Sequence, residues 1–385
     1  MCRVFDRKDW NVDDAEWGDW HWQLRESWKT AGRVMEALGR RADSEVCRRY
    51  PMQATPHYLS LAKTLDVMDP ILRQCVAIEE ELQGGTPDPF GEEAYSPVPR
   101  LVHRYPDRAL FMTTSRCATH CRHCMRKRNW QCFDGKPSED VLSAAVDYVS
   151  KHPEIREILI SGGDPLTLGD DDIAHVLTAF ATVDHLEMLR VGSRVPVVMP
   201  QRLTESLCDI LGGCGKTVWL AAHFNHPAEL SEESRLAVER LLRHGVPVVN
   251  QSVLLKGVND DAETLRLLFT GLLKMKVKPY YLFHGDPIEG TMHFRTGVER
   301  GLELMAALRN RVSGMAMPAF SFDLPERGGK IRLEPGCELE KDGEGFAFTS
   351  FEGKRIVYKS RTGYSGYSGY SGYSGYSGYS GLGGY

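Results

Sequence analysis

Residues 115–126 read Ser-Arg-Cys-Ala-Thr-His-Cys-Arg-His-Cys-Met-Arg and place Cys117, Cys121 and Cys124 in the spacing C-x3-C-x2-C. Three thiolates on one short loop can bind three irons of a cubane cluster and leave the fourth iron without a protein ligand. An iron with an open position can bind a small molecule, whereas a cluster with four cysteine ligands only transfers electrons. A closed structural zinc site needs a fourth ligand, and a disulfide would leave one thiol unpaired. The spacing therefore favours a cluster over zinc or unconnected cysteines.

Composition narrows the class of protein. The chain has 385 residues, of which 42% are hydrophobic, and a net charge of −5. This length allows one large α/β domain with additions at both ends. The charge does not indicate a nucleic-acid partner, no apolar run approaches the ~20 residues of a membrane span, and the first residues do not resemble a signal peptide. We predict a cytoplasmic protein, since a reducing compartment suits an oxygen-sensitive cluster.

Hydrophobic periodicity changes near residue 100. Residues 1–95 have apolar positions at helical spacing, and the Gly- and Pro-rich stretch 83–91 predicts a linker. Farther along, strand and helix patterns alternate, which predicts a parallel sheet with crossover helices, here an open partial (βα)6 barrel. The predicted strands are Ala109–Thr113, Glu157–Ile160, Met188–Val191, Thr217–Ala222, Val246–Leu254 and Pro279–Phe283, with a seventh apolar run at Ala316–Phe322. The predicted helices lie near 138–151, 171–182, 203–212, 231–244, 260–275 and 297–309.

The chain divides into four predicted parts. These are an N-terminal helical region (1–95), a partial barrel (96–325), a C-terminal segment (326–362) and a tail (363–385). Within the tail, residues 364–381 are six copies of Tyr-Ser-Gly. We predict that the tail is disordered, because the repeat has no aliphatic side chains to offset the entropy lost on ordering. Its tyrosines either recruit a partner or have no function.

Chemically capable residues follow the predicted strands. In α/β barrels reactive groups lie at the carboxyl ends of the strands. Residues at or just past those ends are Ser161-Gly162-Gly163-Asp164, Gly192-Ser193-Arg194, His223 and Asp286, and the fifth strand itself carries Asn250-Gln251. The paired glycines predict a close approach of backbone amides to a ligand. Lys330 follows the seventh run, and a partly desolvated amine there could attack the aldehyde of pyridoxal phosphate, although such a lysine is more often a surface residue.

These residues together resemble the radical S-adenosylmethionine enzymes and, more narrowly, the lysine 2,3-aminomutase family. The resemblance runs from about residue 17 to about residue 358. Its landmarks are residues 96–99, 103–108, 117–128, 160–164, 196–202, 293–296 and 328–330. It implies an α/β fold, a radical SAM partial TIM-like barrel with an N-terminal helical region and a C-terminal segment that carries the lysine for pyridoxal phosphate.

The resemblance also implies roles for individual residues. The three cysteines would ligate a [4Fe–4S] cluster whose open iron chelates S-adenosylmethionine, and Lys330 would hold pyridoxal 5′-phosphate covalently. The residues expected near S-adenosylmethionine are Ser161, Gly162, Gly163, Asp164, His223 and Gln251. The residues expected to position pyridoxal phosphate are Arg104, Tyr105 and Arg108.

Three further residues correspond to the family's substrate contacts. Arg126 matches the arginine for the substrate carboxylate, and Asp286 and Asp323 match two aspartates that bind the distal ammonium of lysine. Two carboxylates favour a cationic side chain and repel glutamate. Arginine stays open as a substrate, because a guanidinium suits two carboxylates and because Pro287 departs from the family pattern and could re-aim Asp286.

The implied reaction is an isomerisation that moves the α-amino group of L-lysine to Cβ and gives β-lysine. The implied partners are a small amino-acid substrate, a reductant of the flavodoxin or ferredoxin type and further copies of the chain in a homo-oligomer, without nucleic acid or membrane. The alternatives are an arginine aminomutase, a mutase that modifies a lysine on a protein, and a non-catalytic scaffold that binds a partner through its tail.

Overall fold

The computed structural model describes residues 5, 7–41, 43–130, 132, 135–325, 328–336, 339–343, 345–350 and 353–359, without the side chains of residues 28–31. The predicted disordered tail, residues 363–385, lies outside the described residues. So do residues 326 and 327, where the predicted C-terminal segment begins.

The N-terminal region is helical, as its periodicity predicts. Its helices are α1 (Asp14–Gly18), α2 (Trp20–Ala37), α3 (Glu45–Arg49) and α4 (Pro56–Leu59). Side chains of residues that precede them accept hydrogen bonds from free backbone amides, as Asp13 does from Glu16 and Thr55 from Tyr58. Residues from this region, Tyr58 and Leu72 among them, are fully buried in the same hydrophobic core as the barrel. The region is therefore part of one packed body.

The stretch predicted to be a linker is bonded to the barrel. The amide of Thr86 donates to the carbonyl of Pro287 at 2.9 Å, and the amide of Glu289 donates to the carbonyl of Thr86 at 3.1 Å. Gly85 has a φ of +89°, and a Cβ at this position would lie 2.5 Å from the Ile288 backbone. The Gly- and Pro-rich composition therefore reflects a tight crossing of two backbones, and the linker prediction is wrong.

A nine-stranded sheet in sequential order confirms the predicted alternation. Its strands are β1 (Leu101–Tyr105), β2 (Arg108–Thr114), β3 (Glu157–Gly162), β4 (Met188–Ser193), β5 (Thr217–Ala222), β6 (Val248–Leu254), β7 (Lys278–His284), β8 (Ala319–Leu324) and β9 (Gly329–Leu333). Strands β2 to β8 are parallel, whereas β1 and β9 run antiparallel to their neighbours at the two edges. The predicted strands correspond to β2–β7, and the seventh apolar run forms β8.

Helices connect the parallel strands and cover the outer face of the sheet. They are α5 (Glu139–Ser150), α6 (Asp170–Ala181), α7 (Val195–Val198), α8 (Glu205–Gly213), α9 (Glu232–Arg243), α10 (Ala262–Lys274) and α11 (Val298–Leu308). Each of the longer ones buries an apolar stripe, as α10 does with Leu265, Leu268 and Leu272. No helix in the described part of the chain combines the length and apolarity that crossing a membrane requires.

The sheet curls until its first strand meets its eighth. The hydroxyl of Tyr105 on β1 donates to the Asp323 carboxylate on β8 at 2.8 Å, and Arg104 Nη2 donates to the carbonyl of Leu324 at 2.8 Å. Side chains therefore close the barrel where backbone pairing does not. A separate three-stranded sheet, β10 (Glu340–Asp342), β11 (Gly345–Thr349) and β12 (Arg355–Lys359), follows β9 and was not predicted.

Candidate active site

The three cysteines lie on the loop that leaves β2, as predicted. The carbonyl of Cys117 accepts a hydrogen bond from Gln53 Nε2 at 2.8 Å, and the amide of Cys124 donates to the carbonyl of Cys121 at 2.9 Å. Burial raises the pKa of the Cys117 and Cys124 thiols, and the neighbouring thiols raise both further. The thiols are close enough to repel one another as anions, and bound iron would offset that repulsion. No three Cys, His, Asp or Glu side chains of the described residues converge as they do around one metal ion.

A buried ion cluster anchors this loop to the N-terminal region. Glu81 and Arg122 are fully buried and pair at 2.6 Å, and the Lys127 ammonium lies 2.6 Å from the same Glu81 carboxylate. Arg122 also donates to the carbonyls of Tyr50 and Pro51, both at 3.1 Å. Since removing one partner of a buried ion pair leaves a charge unsolvated, these contacts specify where the loop lies. In the sequence Arg122 and Lys127 look like surface charges, so this role was missed.

The glycines at the end of β3 pack closely against the backbone of the cysteine loop. Gly162 has a φ of +134°, and a Cβ on Gly163 would lie 2.2 Å from the carbonyl oxygen of Arg116. The amides of Gly163 and Asp164 donate to the carbonyls of Thr114 and Arg116 at 2.5 and 2.7 Å. These two amides are therefore bonded to the loop, and the expected contact of residues 161–164 with S-adenosylmethionine stays a prediction.

Asp164 is a buried carboxylate, and both of its oxygens accept hydrogen bonds from the protein. It accepts from the Ser193 hydroxyl at 2.8 Å and from the Arg194 amide at 2.7 Å. Burial raises its pKa, although those hydrogen bonds oppose the shift. Asp164 thus joins the end of β3 to Ser193 and Arg194 at the end of β4. If Asp164 influences the binding of S-adenosylmethionine, it does so by fixing the position of the turn after β4. Ser161, which precedes these residues and lies on β3, is half-buried.

His223 directly follows β5, and Gln251 lies beside it within β6. Both are half-buried, and the His223 ring is hydrogen-bonded to the Gln251 backbone. Burial and, to a smaller extent, the nearby Arg194 lower the pKa of His223 to about 4. His223 is therefore neutral at physiological pH, and because its ring N–H is bonded to the Gln251 backbone, the nitrogen left for a nucleoside is an acceptor.

Lys330 lies on β9, directly opposite Asp323 on β8. Its ammonium is 2.6 Å from the Asp323 carboxylate, and Arg104 Nη1 is 3.6 Å from the same group. The Lys330 ammonium also lies 4.2 Å from the ring centre of Phe283. Burial raises the pKa of Asp323, but Lys330, Arg104 and the hydroxyl of Tyr105 together outweigh burial, and the net shift is downward. The sheet therefore assembles Lys330 with three residues predicted from the sequence, Asp323, Arg104 and Tyr105.

Arginines supply positive charge beside Lys330. Arg104 lies 5.1 Å from the ring centre of Phe90, and its buried Nε has no acceptor among the described residues. Arg108 lies 4.0 Å from the Tyr105 ring and pairs with Asp107 at 2.6 Å. An amine that shares Asp323 with the guanidinium of Arg104, whose buried Nε donor is free, fits an aldehyde that carries a phosphate.

Asp286 follows β7 and titrates unusually. Burial and, next, the negative charge of Asp323 raise its pKa to about 7, although Lys330 opposes the shift. The carboxyl is therefore about half protonated near neutral pH. A bound cation would convert it to carboxylate, since an opposite charge favours the ionised form.

Arg126 is held by a carboxylate that sequence reasoning missed. Glu92 accepts from Arg126 and from Arg128, each at 2.8 Å, and both guanidiniums are largely buried. The buried Nε of Arg126 has no acceptor among the described residues. The segment from Phe90 to Glu92 therefore joins the arginine of the cysteine loop to Arg104 beside Lys330. No pattern around Glu92 indicates this role.

Comparisons with known proteins agree with this geometry. Residues 111–268 match the model of the Radical SAM superfamily, which implies an iron–sulfur cluster and S-adenosylmethionine. The chain is 42% identical over 370 residues to a putative L-lysine 2,3-aminomutase of Aquifex aeolicus, covering 93% of this chain and 98% of that one. It is 38% identical to L-lysine 2,3-aminomutase of Clostridium subterminale, covering 92% of this chain and 87% of that one.

A relative with another substrate lies in the same range of similarity. Glutamate 2,3-aminomutase of Clostridioides difficile is 37% identical over 353 residues, covering 90% of this chain and 83% of that one. Overall similarity thus indicates an aminomutase without choosing between the two amino acids. The chain belongs to the lysine 2,3-aminomutase family, a group of isomerases within the Radical SAM superfamily.

Proposed function

We propose that the protein is a pyridoxal phosphate-dependent aminomutase that moves the α-amino group of L-lysine to Cβ and gives β-lysine. One observation carries the choice of substrate. A primary ammonium, that of Lys330, lies 2.6 Å from Asp323, while Asp286 lies close enough to feel the charge of both groups. This end of the pocket therefore accommodates the group at the end of a lysine side chain.

The cofactors have separate places in this proposal. Cys117, Cys121 and Cys124 would ligate the cluster, and Lys330 would hold pyridoxal phosphate with Arg104, Tyr105 and Arg108 around it. Bound S-adenosylmethionine supplies a radical that takes hydrogen from Cβ, and bound pyridoxal phosphate supplies the conjugated system that makes nitrogen migration feasible. The protein orients these groups and keeps water away from them.

Lys330 and the substrate cannot both use Asp323 in the same way. When the Lys330 nitrogen is bonded to a cofactor, it no longer pairs with Asp323 as an ammonium. Asp323 then becomes free for the distal ammonium of the substrate, with Asp286 as second partner. At the other end of the substrate, the Nε donor of Arg126 is free for the α-carboxylate.

Charge argues against glutamate in this pocket. The distal carboxylate of glutamate would meet Asp323 and Asp286, and like charges in a water-poor site repel strongly. Asp286 could escape by staying protonated, but Arg104 and the hydroxyl of Tyr105 still favour the ionised form of Asp323 when Lys330 holds the cofactor. Arginine keeps the right charge and is the second candidate, because two carboxylates also fit a guanidinium.

Turnover of different amino acids tests the substrate. Enzyme reconstituted anaerobically with iron, sulfide, S-adenosylmethionine and pyridoxal phosphate should convert lysine to its β-isomer faster than arginine or glutamate. Asp286→Asn and Asp323→Asn should each lower kcat/KM for lysine by at least about tenfold, the effect of losing ~1.4 kcal/mol. Asp147→Asn, at an exposed position of α5, serves as the control. Faster turnover of glutamate than of lysine would refute the two-carboxylate argument.

Chemical trapping tests the cofactor lysine independently of turnover. Borohydride reduction of the loaded enzyme should fix a phosphopyridoxyl group on the tryptic peptide that contains Lys330. A label on any other lysine would refute the assignment. A reductant of the flavodoxin or ferredoxin type and a homo-oligomeric assembly stay predictions from the sequence.

A further inference from the structure

Arg194, the last residue of the Gly-Ser-Arg stretch after β4, contacts a cysteine of the loop. Its Nη1 donates to Cys121 Sγ at 2.8 Å, across 73 positions of sequence. The arginine is 7% exposed, so this charge-assisted hydrogen bond lies in a largely dry environment. Neither fold nor substrate specificity requires a guanidinium to touch this sulfur.

The far side of the same guanidinium is fixed by a buried polar network. Its Nη2 lies 2.8 Å from Glu229, 2.7 Å from the Gln74 side-chain oxygen and 2.9 Å from the Tyr58 hydroxyl. Tyr58 and Gln74 in turn donate to Glu229, at 2.9 and 3.0 Å. Because all these partners are buried, the guanidinium cannot swing away from Cys121 without leaving Glu229 unpaired.

The network leaves one donor of Arg194 unused. Its buried Nε has no acceptor among the described residues. A buried donor without an acceptor is costly, so a ligand that accepts from it would stabilise the site. One donor of this fixed guanidinium thus contacts a sulfur of the loop, and another has no acceptor among the described residues.

We propose that Arg194 is a positioning residue that sets the reduction potential of the cluster through its hydrogen bond to Cys121. This inference rests on the proposed role of Cys121 as a cluster ligand. Hydrogen bonds to the sulfurs and nearby charge are among the factors that set cluster potentials. A donor of positive charge stabilises the reduced cluster more than the oxidised one, since the reduced form carries one more electron. Arg194 therefore makes the cluster easier to reduce, and Tyr58, Gln74 and Glu229 hold it in place.

A redox titration of the reconstituted cluster, followed by electron paramagnetic resonance, tests this without turnover. In Arg194→Gln we expect the potential to become more negative, so that at a fixed ambient potential the ratio of reduced to oxidised cluster falls roughly tenfold, equivalent to about 59 mV for one electron. Tyr58→Phe removes one anchor of Arg194 and leaves Cys121 untouched, so it should shift the potential in the same direction by less.

Arg190→Gln is the matched control. Arg190 lies on β4, the strand that Arg194 follows, and pairs with Glu157, the first residue of β3, at the end of that strand away from the cysteine loop. Its loss should leave the potential unchanged. An unchanged potential in Arg194→Gln, or a shift of equal size in Arg190→Gln, would overturn the proposal.

Iron and sulfide content separates the possible failures. If wild-type protein binds no cluster, the proposed function itself fails. If wild type binds a cluster but neither Arg194→Gln nor Arg194→Lys does, Arg194 serves assembly of the site and the proposal is overturned. If Arg194→Lys binds a cluster with a potential between those of wild type and Arg194→Gln, the proposal is supported, because lysine keeps the charge and loses the fork of donors.

Discussion

The ammonium of Lys330 lies 2.6 Å from a carboxylate oxygen of Asp323, its direct partner across the antiparallel ladder of β8 and β9. Because of that ion pair, the neighbouring carboxyl groups of Asp323 and Asp286 differ in their protonation. Asp323, beside the ammonium, has a lowered pKa, whereas the pKa of Asp286 is raised by burial and by Asp323. The pocket therefore holds one fixed negative charge and one carboxyl that ionises when a cation arrives.

Asp286 should make the protein without cofactors less stable as pH rises. Its pKa is 3.8 in ordinary surroundings and about 7 in the folded protein. Between these pH values the folded state binds more protons than the unfolded state, so the free energy of unfolding falls as pH rises. Asp286→Asn removes this penalty. In urea unfolding, the free energy of unfolding of the variant relative to that of wild type should rise by about 1–3 kcal/mol between about pH 5 and about pH 8. A constant difference across that range would contradict the raised pKa.

Asp323 should have the opposite pH dependence. Its lowered pKa contributes stability that is present above the ordinary carboxyl pKa and is lost as pH falls through the folded value. Asp323→Asn also leaves the Lys330 ammonium without its anionic partner. We expect a loss of about 1–3 kcal/mol in the free energy of unfolding near neutral pH, which shrinks in acid. An equal loss of free energy of unfolding at neutral and at acid pH would exclude an ionised Asp323 as the cause.

Glu92→Gln should weaken substrate binding through Arg126. Glu92 pairs with Arg126 and Arg128 at 2.8 Å each, and a neutral amide can orient neither guanidinium as firmly. Steady-state kinetics should show KM for lysine raised by roughly tenfold with a smaller change in kcat, equivalent to ~1.4 kcal/mol of binding. Glu93→Gln, at the neighbouring exposed position, is the control. An unchanged KM would argue that Arg126 does not bind the substrate carboxylate.

Glu81→Gln should loosen the cysteine loop. The substitution leaves Arg122 and Lys127 buried without a negative partner, a change that typically costs about 3–5 kcal/mol. Urea unfolding should report this loss, and iron content after reconstitution should fall with it. Glu232→Gln, which breaks the exposed pair with Arg235, should leave the free energy of unfolding almost unchanged. Similar losses in both variants would refute the anchoring role.

Gly163→Ala tests the contact between β3 and the cysteine loop. The new methyl group would lie 2.2 Å from the carbonyl oxygen of Arg116, so the loop must move. We expect destabilisation of about 1–3 kcal/mol and reduced cluster content, measured by urea unfolding and iron analysis. Gly213→Ala, where a Cβ meets nothing within 4 Å, should be neutral or slightly stabilising. Full cluster content in Gly163→Ala would contradict the close-contact argument.

Local signals in the sequence determined the fold and several parts of the site. Alternating strand and helix patterns predicted β2–β7, and the cysteine spacing placed a loop at the end of β2. These features depend on residues near each other in the chain, so periodicity and spacing reveal them. Strands β1 and β9 escaped prediction because each is short, lies at an edge and pairs antiparallel.

Only the tertiary structure decided which charge meets which. Closure of the barrel brings Tyr105 to Asp323, and packing of the N-terminal region brings Glu81 to Arg122 and Glu92 to Arg126. The family resemblance assigned site roles to Tyr105, Asp323 and Arg126, but no local pattern in the sequence indicates any of these pairs. The partners are set by the curl of the sheet and by the burial that makes an unpaired charge costly, and neither is written in any local pattern.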